Sequence, residues 1–155
     1  MEPILGLDLS RNLSLFTVPA AFIMCMVPNV WAISLAGEAY DVANPRAMKD
    51  TVKADSTVEK VISQKITRAK NASDNGFETL GLYAAAVVAA NHAGVETQML
   101  NILTLGYILT RILYVYAYVQ LGENRNLAPL RSLFWTVGSI LTLTLYIKAG
   151  LQLAA

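Results

Sequence analysis

The sequence predicts an all-α membrane protein: one domain over residues 1–155 folded as a bundle of four transmembrane helices. Three observations predict it. Hydrophobic residues make up 55% of the chain and charged residues only 15%, a balance that a soluble domain of this length does not show. Long stretches carry no charge at all, among them Asn12 to Gly37. The charges that exist are gathered: six of the twelve basic residues lie between Arg46 and Arg68, with Lys70 just beyond. The chain therefore reads as mostly bilayer plus one charged connection.

The same composition excludes several classes. A net charge of +1 supplies no basic footprint for a phosphate backbone, so nucleic acid is not an expected partner. Cys25 is the only cysteine, which rules out an intrachain disulfide, and it reads as a small apolar helix residue. The sequence holds no internal repeat, low-complexity tract, GxGxxG or P-loop. The first apolar run is too long for a signal-peptide core and lacks a basic leader, so it is expected to be a retained anchor.

Met1 to Arg11 carry mixed charge, and the first span follows at about 12–37, with kinks expected at Pro19 and Pro28. Asn12-Leu13-Ser14 matches a glycosylation sequon that abuts the membrane. Glu38 to about Asp55 is polar, with Asn44-Pro45-Arg46 as a turn signal. From Thr57, apolar residues recur at Val58, Val61, Ile62, Ile66 and Ala69, the spacing of a helix. The second span, 57–92, thus begins as a cytoplasmic extension and runs on through Gly76 and Gly81.

Asn91-His92-Ala93-Gly94 closes that span, and His92 reads as an interfacial loop residue without a second metal-ligand residue nearby; no metal site is expected. The third span, 97–121, holds a single charge, Arg111, and the fourth, 130–155, opens on Arg131-Ser132 with Trp135 as an interface anchor. Basic residues crowd the first connection, and Arg125 and Arg131 mark the third. By the positive-inside rule both connections are cytoplasmic.

Two polar stripes stand out. Arg68, Asn71, Asn75 and Glu78 are spaced three, four and three apart, so a helix places them on one face. Tyr107, Arg111, Tyr114 and Tyr118 form the second stripe, while Tyr116 points elsewhere. Glu78 lies about ten residues beyond Arg68 and Arg111 about ten residues before the end of the third span, each roughly 15 Å of helix, which makes them expected partners. An arginine at mid-bilayer costs about 3 kcal/mol on insertion scales. Such a pair can be architectural glue between helices. Three tyrosines, two asparagines and an arginine exceed what one ion pair requires, and they can equally line a pocket in which Tyr114 or Tyr118 stabilises a thiolate or oxyanion.

These residues resemble the MAPEG family, the membrane-associated proteins of eicosanoid and glutathione metabolism. The matching pieces are Arg68-Ala69, Asn75-Gly76-Phe77-Glu78-Thr79 and Ala84-Ala85-Ala86-Val87, then Arg111-Ile112-Leu113-Tyr114 with Tyr118, and Leu130-Arg131-Ser132-Leu133 with Trp135. Asn44-Pro45-Arg46 resembles the family's first connection. The resemblance implies a homotrimer in the endoplasmic reticulum or another intracellular membrane, with glutathione sites between subunits that open to the cytoplasm. It further implies an enzyme that conjugates, reduces or isomerises a lipophilic electrophile, although some members are accessory proteins.

Carried over by residue, Asn75, Glu78, Arg111, Tyr118 and Arg131 would hold glutathione. Arg131 would lower the thiol pKa, assisted by Ser132 or Tyr118. The chain departs from the pattern at Asp74, where relatives carry arginine, at Ser73 and Gly81, where many carry histidine and proline, and in a first span without a basic residue. A second reading dispenses with glutathione: Glu78 acts as acid or base in isomerising or cyclising a hydrophobic metabolite, with Tyr114, Tyr118 or Arg131 steadying oxyanion charge. A third is a noncatalytic accessory protein whose polar stripes only join helices.

Overall fold

The computed structural model describes Asp8 and residues 10–155; the rest of the mixed-charge leading segment, Met1–Leu7 and Leu9, lies outside the described residues. Among the described residues there is no strand. Five helices occur in the order α1 (Thr17–Ala36), α2 (Met48–Ala54), α3 (Lys60–His92), α4 (Thr97–Tyr116) and α5 (Pro129–Leu153).

A short 3₁₀ turn, Ser14–Phe16, leads into α1. Both prolines leave α1 a single helix: Pro19 falls in the first turn, where a missing N–H is harmless, and Pro28 is buried inside it. Gly37 stops it by adopting a φ of 53°, a conformation that favours glycine. Its buried residues Ala21, Cys25, Pro28, Ala32 and Ala36 fall on one face. The opposing face of α3 is equally small, with Ala69, Ala72, Ser73 and Gly76 buried. Small residues on both sides let the two backbones approach. A Cβ added to Gly76 would lie 2.8 Å from Cys25 Sγ, and the Ser73 hydroxyl donates to the Cys25 carbonyl at 2.8 Å.

The connection after α1 is not wholly irregular as the sequence suggests. It contains α2, whose Met48 and Val52, one turn apart, are buried with Ile66 and Ala69 of α3. Two apolar positions among charged ones leave too short a pattern to announce a helix. The long helix correspondingly starts at Lys60 rather than Thr57. Its approach is set by Asp55, whose carboxylate accepts from the Thr57 N–H at 2.8 Å and hydroxyl at 2.6 Å. Those bonds, the hydroxyl's first, hold the Asp55 pKa below the usual carboxylate value.

At the opposite end of the bundle, two asparagines fasten the stretch from Arg11 to Ser14. Asn91 accepts from Asn12 Nδ2 at 2.7 Å and donates to Ser14 Oγ at 2.8 Å. Asn101 accepts from the Leu13 N–H at 2.9 Å and donates to the Arg11 carbonyl at 2.8 Å. Asn12 of the sequon is thus engaged within the fold.

Segments Ser14–Ala39, Thr97–Leu121 and Pro129–Ala154 are long and apolar enough to cross a membrane. The 33-residue α3 is not among them, since its first half carries the charges, yet it packs against α1, α4 and α5. The core falls into two clusters. One surrounds Tyr83, Leu100, Tyr107 and Leu145; the other, nearer α2, surrounds Ala32, Ile66, Tyr114 and Val119. Arg111, 5% exposed, sits on α4 between Tyr107 of the first and Tyr114 of the second.

Candidate functional site

After Tyr116 the α4 backbone widens into one π-helical turn, Ala117–Leu121, which carries Tyr118. Turns of this kind are frequent at functional sites because they rotate a side chain out of the regular helical register. Two features fix this one. Arg68 Nε donates to the Val119 carbonyl at 3.4 Å. Gly122 lets that side chain close in, for a Cβ there would meet the Tyr118 carbonyl and lie 2.9 Å from Arg68 Cδ. Arg68, expected on the polar stripe of α3, therefore anchors the turn that presents Tyr118.

From Arg111 a ladder of cations and rings runs to α5. The Arg111 guanidinium lies 4.7 Å from the Tyr114 ring centre, the Tyr114 and Tyr118 rings meet edge-on at 5.7 Å, and Arg131 lies 4.6 Å from the Tyr118 ring. Each desolvated cation–ring contact is worth up to about 2 kcal/mol. Tyr107, Arg111 and Tyr114 are buried, whereas Tyr116 is 56% exposed on another side.

Between this ladder and α3 opens a cavity of about 160 Å³ lined by Asn75, Tyr114, Tyr118, Arg131, Ser132 and Trp135. Three helices and the π turn each supply part of it. Asn75 lines this cavity, and its Oδ1 is buried without a hydrogen-bond partner within the protomer, an acceptor that water, a neighbouring chain or a bound molecule can satisfy. Arg131 and Ser132, on the first turn of α5, are exposed, as is Trp135. Trp135 enters the site as wall rather than only as an interface anchor; its spacing from Arg131, one helical turn, is the sequence signal for that role.

The expected Glu78–Arg111 ion pair is not formed within the protomer. Among the described residues the ion pairs involve only Lys49, Lys70 and Asp74. Glu78 is exposed and lies outside the lining of the cavity, while Arg111 turns to Tyr114 and to a second, smaller chamber. That chamber, about 20 Å³, is lined by Thr79, Leu82, Tyr107, Arg111, Gly138, Ser139 and Thr142. It has the volume and the hydroxyls to hold one water. Glu78 is exposed whereas Arg111 is buried, and spacing alone does not reveal which face a neighbour covers.

Asp74, one of the departures from the family pattern, is ion-paired. Its carboxylate lies 2.7 Å from Lys70 Nζ and 3.3 Å from Lys49 Nζ, so its charge is already met. His92 is exposed in the last turn of α3.

An all-helical chain, among the described residues, with three segments long and apolar enough to cross a membrane and large apolar side chains exposed along them fits an integral membrane protein. The family comparison is specific: the model of the MAPEG family matches residues 15–151, nearly the whole chain. The chain belongs to the MAPEG family. Comparison with curated proteins and with solved structures returned no match.

Proposed function

We propose that the protein is a membrane-embedded enzyme that acts on a lipophilic small molecule with glutathione as its thiol partner, and that it works as a homotrimer with α3 as a fourth span. The observation that carries this reading is the convergence of Asn75, Tyr114, Tyr118, Arg131 and Ser132 on one cavity beside an unpartnered Asn75 Oδ1. The site suits a peptide thiol. Asn75 offers an acceptor for an amide N–H, Arg131 a cation, and Tyr118 and Ser132 hydroxyl donors. Asp74 brings no uncompensated negative charge, being paired with Lys49 and Lys70.

Bound glutathione would supply a nucleophilic thiol. The Arg131 guanidinium, held over the Tyr118 ring at 4.6 Å, sets a positive charge at the cavity that favours the deprotonated sulfur. The Tyr118 or Ser132 hydroxyl donates a hydrogen bond to the same negative charge. Trp135 supplies an aromatic wall against which a lipophilic substrate packs.

Two observations support the trimer. A cavity of about 160 Å³ falls below the roughly 300 Å³ at which drug-sized pockets begin, so a neighbouring subunit is needed to complete its walls. An exposed Glu78 on a spanning helix needs a partner that one protomer does not offer. Orientation follows the basic residues, with α2 and the α4–α5 connection on the cytoplasmic face.

The test is thermal unfolding of the purified protein in detergent with millimolar glutathione. A ligand at a hundredfold excess over its Kd adds about 2.7 kcal/mol, so a clear rise in Tm is expected. Arg131→Ala should lose the rise and remain trimeric. A wild-type Tm that ignores glutathione overturns this reading and favours the glutathione-independent isomerase or cyclase.

A further inference from the structure

Two lysines from different elements converge on one carboxylate at the end of the bundle where α2 packs. Lys49 of α2 donates to Asn71 Oδ1 at 3.1 Å and lies 3.3 Å from Asp74 Oδ2; Lys70 of α3 lies 2.7 Å from Asp74 Oδ1. The cluster carries two positive charges against one negative. An ammonium group has three N–H bonds. Lys49 spends two of its own and Lys70 one, which leaves three for another acceptor. The side chains are 35%, 21% and 39% exposed for Lys49, Lys70 and Asp74, open enough for a ligand and sheltered enough to weaken screening.

The cluster begins one helical turn from the cavity on α3. Asn71, which Lys49 touches, and Asn75, which lines the cavity, are four residues apart on α3, so their Cβ atoms stand about 6 Å apart. A molecule bound against Asn75 can extend a negatively charged end one helical turn toward α2 and reach the remaining N–H groups of Lys49 and Lys70.

We propose that Lys49 and Lys70 form an anion subsite that takes a carboxylate of the molecule held in the cavity, and that Asp74 is a positioning residue that keeps the two ammonium groups together. The assignment rests on the glutathione reading and deepens it. It gives Asp74 a constructive role: the carboxylate draws Lys49 across from α2 to the α3 stripe.

Glutathione and its diethyl ester, which lacks both negative carboxylates, are the probes. Binding to the purified trimer in detergent is measured by calorimetry for wild type, Lys49→Gln, Lys70→Gln and Asn75→Ala. Each lysine substitution is expected to weaken glutathione binding about fivefold, the size of a half-sheltered ion pair, and to leave ester binding unchanged. Asn75→Ala should weaken both probes. If the lysine variants bind glutathione as wild type does while Asn75→Ala does not, the subsite is overturned and the glutathione reading stands. Equal weakening of both probes also overturns it, because the lysines then act only by tying α2 to α3. If wild type binds no glutathione, both proposals fall. Should Lys49→Gln fail to assemble, Lys49→Arg, expected to keep the affinity, and Lys70→Gln, expected to lose it, decide the matter by the same two outcomes.

Discussion

Replacing Gly76 by alanine tests the contact on which the site's geometry depends. Asn75 faces the cavity and Gly76 faces α1, so the distance between α1 and α3 sets where Asn75 lies. A Cβ at residue 76 would stand 2.8 Å from Cys25 Sγ, 3.2 Å from Cys25 Cβ and 3.4 Å from Arg111 Nη2. Cys25 is 5% exposed, so its sulfur has no free direction in which to retreat. Overpacking a filled interior costs about 1–3 kcal/mol, and alanine returns about 1 kcal/mol of helix propensity relative to glycine. Gly76→Ala is therefore expected to destabilise by about 0–2 kcal/mol. In a Cys25→Ala background the 2.8 Å contact is gone, and the same change should become neutral or mildly stabilising. The coupling between the two substitutions is then about 1–3 kcal/mol in favour of the double variant, measurable by a double-mutant cycle of denaturant unfolding in micelles. Additive effects would falsify the close α1–α3 packing and, with it, the positions of Asn75 and Arg111 that this packing sets.

Two further outcomes are expected. If the proposed trimer is right, Glu78→Gln should shift the balance from trimer toward monomer in dilute detergent, read by light scattering, since the carboxylate exposed in the protomer would then be held by a neighbouring subunit. Breaking such a buried pair typically costs about 3–5 kcal/mol, and an unaltered trimer would sink the inter-subunit partner. Asp55 gives a pH dependence outside the membrane. Its pKa is lowered on folding, chiefly by the Thr57 hydroxyl and then the Thr57 N–H. The turn it stabilises is thus fully supported above the ordinary carboxylate pKa and loosens as pH falls through the folded one. Protection of the Thr57 amide, taken relative to its intrinsic exchange rate at each pH, should fall over that acidic window in wild type and show no such step in Asp55→Asn.

Much of the helix order was legible because long apolar runs with few charges admit one reading in a membrane chain. The third span, expected at 97–121, coincides with α4 and its π turn, Thr97–Leu121, and the fourth, expected at 130–155, with Pro129–Leu153. The short α2 was not legible, since Met48 and Val52 are its only buried residues and gain meaning from Ile66 and Ala69 across the gap. Spacing grouped Asn75 with Glu78, and Arg111 with Tyr114 and Tyr118, but a stripe on a helix spans a range of azimuths. Asn75 falls on the side toward α4 and α5, Asp74 on the side toward α2, and Glu78 on an open side. The π turn, which sets where Tyr118 points, has no signature in residue spacing.

The separation of Glu78 from Arg111 changes what each residue can be asked to do. A guanidinium in a bilayer costs about 3 kcal/mol on insertion scales, and a desolvated cation–ring contact returns up to about 2 kcal/mol. Tyr114 at 4.7 Å therefore offsets most of the expense of Arg111, and the hydroxyl-lined chamber beside it can offset the remainder through a water. Arg111 does not need Glu78 in order to be buried. Glu78 has no such internal relief: it is exposed on the helix whose neighbours already occupy its other sides. A carboxylate so placed is met from outside the protomer, by water or, in the proposed trimer, by a second subunit or a bound molecule. The pair inferred from depth thus resolves into two separate residues: Arg111 props the aromatic ladder that ends at Arg131, and Glu78 stands exposed on α3.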